Sequence, residues 1–336
     1  MAQVTNTYET YDAVGNREEL ADKIYQITPE ETPFLSLIGR KPVASVHPEW
    51  QIDTLGAIDT SNNQPEGQDW TFQSISPTTR VGNYTQISDK RIIISRTQDK
   101  TSKAGRKSEL AREVAKKGVE LRIDMEAIVL GNQASLAGSG NGATNRKLGA
   151  FRAWLASNDT LGAGGASGGF NTSTNIVDAA TNGTQRAFTK AILDAVILST
   201  YNAGGIPKTL MVSPYVKTVF STFMADSNVA PQRYETPSKG QTTIVAAADM
   251  YLSDFGPVSV VPNRQMARAG ATVARNAFLV DPRMVSLGVF DDIQLVKPAK
   301  TGDAEKRVLV TEYTLLVNNE AAHGAACDLF GLTAST

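Results

Sequence analysis

Residues 165 to 169, Gly165-Ala166-Ser167-Gly168-Gly169, match the string with which a serine hydrolase presents its nucleophile. Such a serine sits on a sharp turn between a buried strand and a helix, with a histidine in hydrogen-bond reach. Here the flanks are Leu161-Gly162-Ala163-Gly164 and Phe170-Asn171-Thr172, which read as a flexible glycine-rich loop. The base would have to be His47 or His323, the two histidines of the chain. Loop composition explains the string without chemistry. A hydrolase using Ser167 is the rival reading from a different class.

Other chemistry-bearing groups lead to the same place. Gly138-Ser139-Gly140-Asn141-Gly142-Ala143 resembles a dinucleotide loop, but it follows a helix and not the strand that phosphate cradling requires. Two histidines and Cys327 cannot build a Cys/His zinc site, and Asp291-Asp292 reads as a solvated turn. His323, between Ala322 and Gly324, is expected to be a hydrogen-bonded packing residue. The run Lys100, Lys103, Arg106, Lys107, Arg112, Lys116 and Lys117 could touch phosphate non-specifically, but Glu109 and Glu113 interrupt it. No catalytic residue, cofactor or metal ligand is expected, and the chain is read as a non-enzyme.

The chain has 336 residues, with 33 Lys+Arg against 34 Asp+Glu. That length fits about two domains and a core needing no disulfide or metal. Near-neutral charge gives no global pull toward nucleic acid or acidic membranes, so any DNA contact must be local and weak. Its one cysteine, Cys327, fits a reducing compartment. The start, MAQVTNTYETYD, lacks a signal-peptide layout, and no uncharged apolar run approaches ~18 residues. A soluble cytosolic protein is expected.

Residues 1–30 read as a polar arm with a short helix near Arg17 to Gln26. Thr28-Pro29-Glu30-Glu31 fits a capping box, and Thr32-Pro33 repeats the start signal before Phe34, Leu35, Leu37 and Ile38. From 43 to 95 the chain turns β-like, with Trp50, Ile52, Trp70, Phe72 and Ile75 among polar residues and the turn-rich IDTSNNQPEGQ between. A lone hairpin is marginal in water, so its aromatics need a covering surface on the same chain or a neighbour. Ile87 and Ile92 to Ile94 are apolar enough to return to a core.

The apolar spacing of Leu110, Val114, Leu121, Met125 and Ile128 predicts a helix over 105–130, with Glu113–Lys117 as an i,i+4 pair. Gly118 inside it costs about 1 kcal/mol against Ala, which suggests a close packing contact. From Gly131 to Thr184 loops are expected, interrupted by Leu148 to Leu155 and including a surface hairpin. A second compact unit follows. Phe188, Ile192 and Val196 line a helix, Leu210 to Val212 form a buried strand, and Ser213-Pro214 caps a helix facing inward with Val216, Val219, Phe220 and Phe223. Val258 to Val261, Ala277 to Val280, Ile293 to Lys297 and Arg307 to Val317 read as strands. Helices and strands interleave without a βαβ period, which predicts an α+β fold.

This order resembles the tailed-phage major capsid family, with the Hong Kong 97-type fold. The resemblance is carried by Arg17 to Asp22, Ile27-Thr28-Pro29 and Thr32-Pro33-Phe34 near the start. At the end it is carried by Lys297-Pro298, Gly302-Asp303-Ala304, Glu312 to Leu315, Asn318-Asn319-Glu320 and Ala322-His323-Gly324. It implies a 1–30 arm, a 43–95 β-hairpin extended loop lying over a neighbouring subunit, and an axial domain over 156–276. Residues 31–42, 96–155 and 277–336 would form the peripheral domain around a spine helix over 105–130. It implies copies of the chain as partners, in hexamers and pentamers of an icosahedral shell around double-stranded phage DNA. Trp50, Trp70 and Phe72 become the subunit-contact candidates. Scaffolding, portal or decoration proteins are further implied partners, no membrane is, and assembly would occur in the host bacterial cytoplasm. A cargo-holding, encapsulin-like compartment is the near rival.

Overall fold

The computed structural model describes residues 28–69, 72, 74–102, 108–140, 142–225 and 249–333. The helix expected near Arg17 to Gln26 lies outside them. Two cores organise the rest: the first draws on both main sheets and the spine helix, and the second packs two helices on the second sheet.

The first sheet has four strands in the spatial order Gly39–Pro42, Val285–Val296, Ala304–Val317 and Gln86–Ser95. On its long third strand Leu309, Tyr313, Leu315 and Val317 are buried, as alternate residues sharing one face must be. The return strand buries Ile92 alone of its isoleucine run, while Ile87 and Ile93 alternate to the open face. Asp291-Asp292 does not make a turn. It sits in the irregular stretch of a twelve-residue strand, where the register shifts between Val289 and Asp291 and again before Gln294.

Against this sheet lies the spine helix, Glu109–Leu130. Ser108 caps it, its hydroxyl accepting from the Ala111 N–H at 3.3 Å. Leu121, Met125, Val129 and Leu130 are buried, whereas Leu110 and Val114 are half-buried. The expected Glu113–Lys117 pair does not form. Lys117 pairs with Glu120 at 2.7 Å, and Glu113 with Arg112 at 3.1 Å. The packing contact expected at Gly118 is also missing, since a Cβ there would meet nothing within 4 Å. Gly118→Ala should therefore stabilise the unassembled subunit by about 1 kcal/mol through helix propensity alone. Urea unfolding measures it; a loss of stability would reveal a partner for that face.

The second sheet runs Met250–Ser253, Gly256–Pro262, Thr209–Val212, Ala277–Val280, Gly324–Ala326, Asp159–Thr160. Thr209–Val212 is buried throughout, and helices Lys190–Asn202 and Pro214–Ser221 contribute Leu193, Val196, Ile197, Val216, Val219 and Phe220 to its core. Ser213 caps the second helix by accepting from Val216 N–H. The division expected at 276/277 does not separate the sheets. Ala277–Val280 pairs directly with Thr209–Val212, and Gly324–Ala326 pairs with Ala277–Val280. The chain thus returns to the second sheet after leaving it.

The glycine-rich stretch is packed structure more than loop. Leu148, Phe151, Ala153 and Leu155 are core residues, and Gly169–Asn171 pairs with Ile176–Asp178 as the expected hairpin. A Cβ on Gly162 would collide with the Thr184 carbonyl, and one on Gly168 with the carbonyls of Ala153 and Asp178. These glycines let backbones touch.

Candidate functional site: an extended loop on an aromatic neck

Beside the first core the chain leaves the body at Glu49–Ile52 and re-enters at Thr79–Gly82, an antiparallel pair in which Trp50 faces Val81. The pair is fixed from below by a column of rings. Trp50 stacks on Trp154 at 5.6 Å between centroids, and Trp154 on Phe170 at 5.9 Å. Trp50 also donates its indole N–H to the Asn318 carbonyl at 3.1 Å. Offset stacking of this kind adds about 0.5–1.5 kcal/mol per pair beyond area burial. Trp50, a contact candidate on sequence grounds, is half-buried against its own chain.

The re-entry point is held as firmly. The Asn83 side chain is buried, donates to the Gly149 and Leu315 carbonyls at 3.0 and 2.8 Å, and accepts from Gly149 N–H at 2.7 Å. At Gly82 a Cβ would lie 2.9 Å from Glu49 Cγ and 3.0 Å from the His47 ring. His47 stacks on Tyr84, and burial lowers its pKa against the pull of Glu49.

Beyond this neck the described residues of 53–78 form no strand, and all are exposed. The two-stranded expectation for the whole excursion holds only at the neck. Past Ile52 the segment has too few cross-strand apolar pairs to keep two strands together. Leu55 is 99% exposed, Ile58 93%, Phe72 89% and Ile75 95%. Trp70 lies outside the described residues. Asp53, Asp59, Glu66 and Asp69 are the charges of this stretch, which contains no Lys, Arg or His. The loop is both apolar and acidic, a combination visible in its carboxylates and not in its aromatic residues.

The groups that might have done chemistry are placed elsewhere. Ser167 is exposed and donates to Asp159 Oδ1 at 2.7 Å. Ala166 before it makes an isolated bridge to Thr181, and the strand Gly169–Asn171, not a helix, follows. His323 is fully buried. Burial pushes its pKa down to about 4, and its Nδ1 accepts from Asp281 N–H at 3.2 Å, the packing role expected of it. Burial also pushes the Cys327 thiol up to about 12. Near the 138–143 glycines Ser139 N–H donates to the Thr144 carbonyl at 2.9 Å, and Asn141 lies outside the described residues. Among the described residues no group of three or more His, Cys, Asp or Glu is placed to hold a metal, and no helix is long and apolar enough to cross a membrane. Of the basic run, Arg112 pairs with Glu109 and Glu113, and Lys116 and Lys117 with Glu120. Lys103, Arg106 and Lys107 lie outside the described residues.

An α+β body with two sheets, a spine helix and a protruding loop on a fixed neck defines the Hong Kong 97-like capsid fold. The chain is similar to the capsid of a native GTA particle (TM-score 0.56, 12% identity, 96% of this chain and 98% of that one). It is similar as well to the holo-SrpI encapsulin complex of Synechococcus elongatus (TM-score 0.52, 10% identity, 96% and 95% covered). The model of the SU10 major capsid protein family matches residues 3–330, and the chain belongs to that family. The major capsid protein of Escherichia phage Phieco32 is 34% identical over 127 residues, which are 38% of this chain and 36% of that protein. The match thus spans about a third of that relative's length.

Proposed function

We propose that this chain is the repeating subunit of a closed icosahedral shell, built as hexamers and pentamers, that encloses double-stranded phage DNA. Membership of a major capsid protein family supports this reading. The observation that carries it is the loop of residues 53–78, in which Leu55, Ile58, Phe72 and Ile75 lie bare on a neck anchored in the core. Covering one such side chain is worth about 1.5–3 kcal/mol. A shell in which each loop lies on a neighbour, repeated at every subunit, gains that at each contact. The function is structural, and contact with DNA is weak and non-specific because the chain has no net basic charge. Scaffolding, portal or decoration proteins fit as further partners, and assembly fits the host cytoplasm.

Negative-stain microscopy of the purified protein tests this. Closed particles of uniform diameter are expected; a chain that stays monomeric across concentration and salt would overturn the reading. The encapsulin likeness favours a second one, a shell holding protein cargo. Particles from the natural source separate the two, because nucleic acid inside supports the phage shell and a single cargo protein supports the compartment.

A further inference from the structure

One end of the second sheet gathers five charged side chains. The strand Gly324–Ala326 runs out there into Cys327 and Asp328, with Thr160 and Ala277 as the partners of Ala326 on either side. Arg275 stands just before Ala277, and Arg186 pairs through its backbone with Leu329. Arg152 reaches in from the short helix Phe151–Trp154 to Asp159. Arg152 is 1% exposed and Asp328 0%. Charges so far from water need partners within the protein or a ligand.

Two pairs account for four of the five. Arg152 Nη1 lies 3.1 Å from Asp159 Oδ2, and Arg275 Nη2 lies 3.3 Å from Asp328 Oδ1. The other oxygen of each carboxylate is engaged. Asp159 Oδ1 accepts from Ser167, and Asp328 Oδ2 accepts from the N–H groups of Gly162 and Gly183. Arg186 is the fifth group. Its Nε donates to the Cys327 carbonyl at 3.2 Å, and no carboxylate of the described residues forms an ion pair with it. Cys327 does not supply the missing charge, because burial pushes its thiol up to about 12. Burial lowers the Arg186 pKa, as it does for a cation short of solvent. Four donors are cut off from water without an acceptor: Arg152 Nε, Arg186 Nη2, Arg275 Nε and the Thr160 hydroxyl. Asp159 Oδ2 and Asp328 Oδ1 also lack an aligned hydrogen bond, so both ion pairs are Coulombic contacts only. Buried charged donors left unmade cost more than neutral ones.

We propose that this end of the second sheet binds one small monovalent anion, chloride in ordinary solution, held by Arg186 with Arg152, Arg275 and the Thr160 hydroxyl. The charges set the ligand. Three guanidinium groups against two carboxylates leave a single positive charge, and one chloride cancels it. Water would supply hydrogen bonds but leave that charge uncompensated in a site of low dielectric. Phosphate or sulfate would overshoot the balance. The groups come from four segments far apart in sequence, so the site exists only in the folded chain and the anion stabilises that state alone. The inference stands apart from the shell reading, and neither falls with the other.

Thermal unfolding of the unassembled full-length subunit tests it, with sodium gluconate replaced stepwise by sodium chloride at constant ionic strength. A ligand of the folded state alone raises the folded-to-unfolded ratio about a hundredfold at roughly 100 times its Kd. Tm should therefore rise as chloride replaces gluconate, and bromide should substitute for chloride. Arg186→Gln removes the unmatched charge and keeps a donor for the Cys327 carbonyl. Its Tm should no longer depend on chloride. A wild-type Tm that is flat in chloride overturns the proposal, because water then satisfies these donors. An Arg186→Gln variant that keeps the full dependence overturns it too, because the anion then binds elsewhere. Should that variant fail to fold, bromide-soaked crystals of the wild type decide. An anomalous peak beside Arg186 Nη2 supports the site, and no peak there overturns it.

Discussion

Deleting residues 55–70 leaves a subunit that folds as before and no longer closes into particles. The described residues of this stretch are all exposed, and none belongs to either core. The neck survives the cut, because Trp50, Val81 and Asn83 are held by Trp154, Asn318, Gly149 and Leu315. Shortening a flexible loop by more than half changes its closure entropy by only about 1 kcal/mol, in the stabilising direction. Urea unfolding of the deletion should therefore match wild type to within that amount. Particle yield should fall to background, because Leu55, Ile58 and the acids at 59, 66 and 69 are gone. A deletion that unfolds the monomer would mean the loop belongs to the intrachain core. A deletion that still assembles would move the subunit contacts elsewhere.

What could be read in advance follows from the range of the interactions. Short-range periodicity placed the spine helix, the Ser213-Pro214 cap and the shared face of Leu309, Tyr313, Leu315 and Val317. Each of these depends on neighbours within a few residues. The intrachain contacts of Trp50 were not legible, because Trp154 and the Asn318 carbonyl, which half-bury it, lie far along the chain. Its period-two neighbourhood says that one face is buried and nothing about the chain that buries it. The same limit hides the sheet of Ala277–Val280, which is fixed by its partner Thr209–Val212. The glycines between 162 and 183 looked like flexibility, since composition cannot distinguish a glycine that moves from one that admits a carbonyl. The loop was legible as a feature, but its chemistry was legible in its charges more than in its aromatics.

A large single-residue effect on stability is expected at a group that no pattern singled out. Glu126 lies on the spine helix among the apolar residues Met125, Ala127, Val129 and Leu130, and its own charged side chain is fully buried with them. Its Oε1 accepts from Phe34 N–H at 2.8 Å and from the Asn263 amide at 2.6 Å, and its Oε2 from Leu35 N–H at 2.8 Å. This carboxylate caps the short helix Pro33–Leu37 from another part of the chain. It explains why that helix starts at Pro33, with no side-chain cap from Thr32, and not at the capping box expected from Thr28. It also ties three segments together: the start of the described chain, the spine helix and the Arg264–Arg268 helix that Asn263 caps. Glu126→Ala strips three buried donors at once and should destabilise the unassembled subunit by about 3–5 kcal/mol in urea unfolding. Glu126→Gln keeps one acceptor oxygen but turns an NH2 toward a remaining donor, and should cost about 1–3 kcal/mol. Burial holds the Glu126 carboxyl above its ordinary range, with the N–H groups of Leu35 and Phe34 and the Asn263 amide pulling the other way. A carboxyl raised on folding binds its proton more tightly in the native state. Its contribution is therefore full below the ordinary carboxylate range and falls as pH rises through the raised value. The gap between wild type and Glu126→Gln should accordingly narrow from acidic to neutral pH. A gap that widens instead would show that the N–H donors outweigh burial, and that the native state holds Glu126 as a carboxylate already in acid.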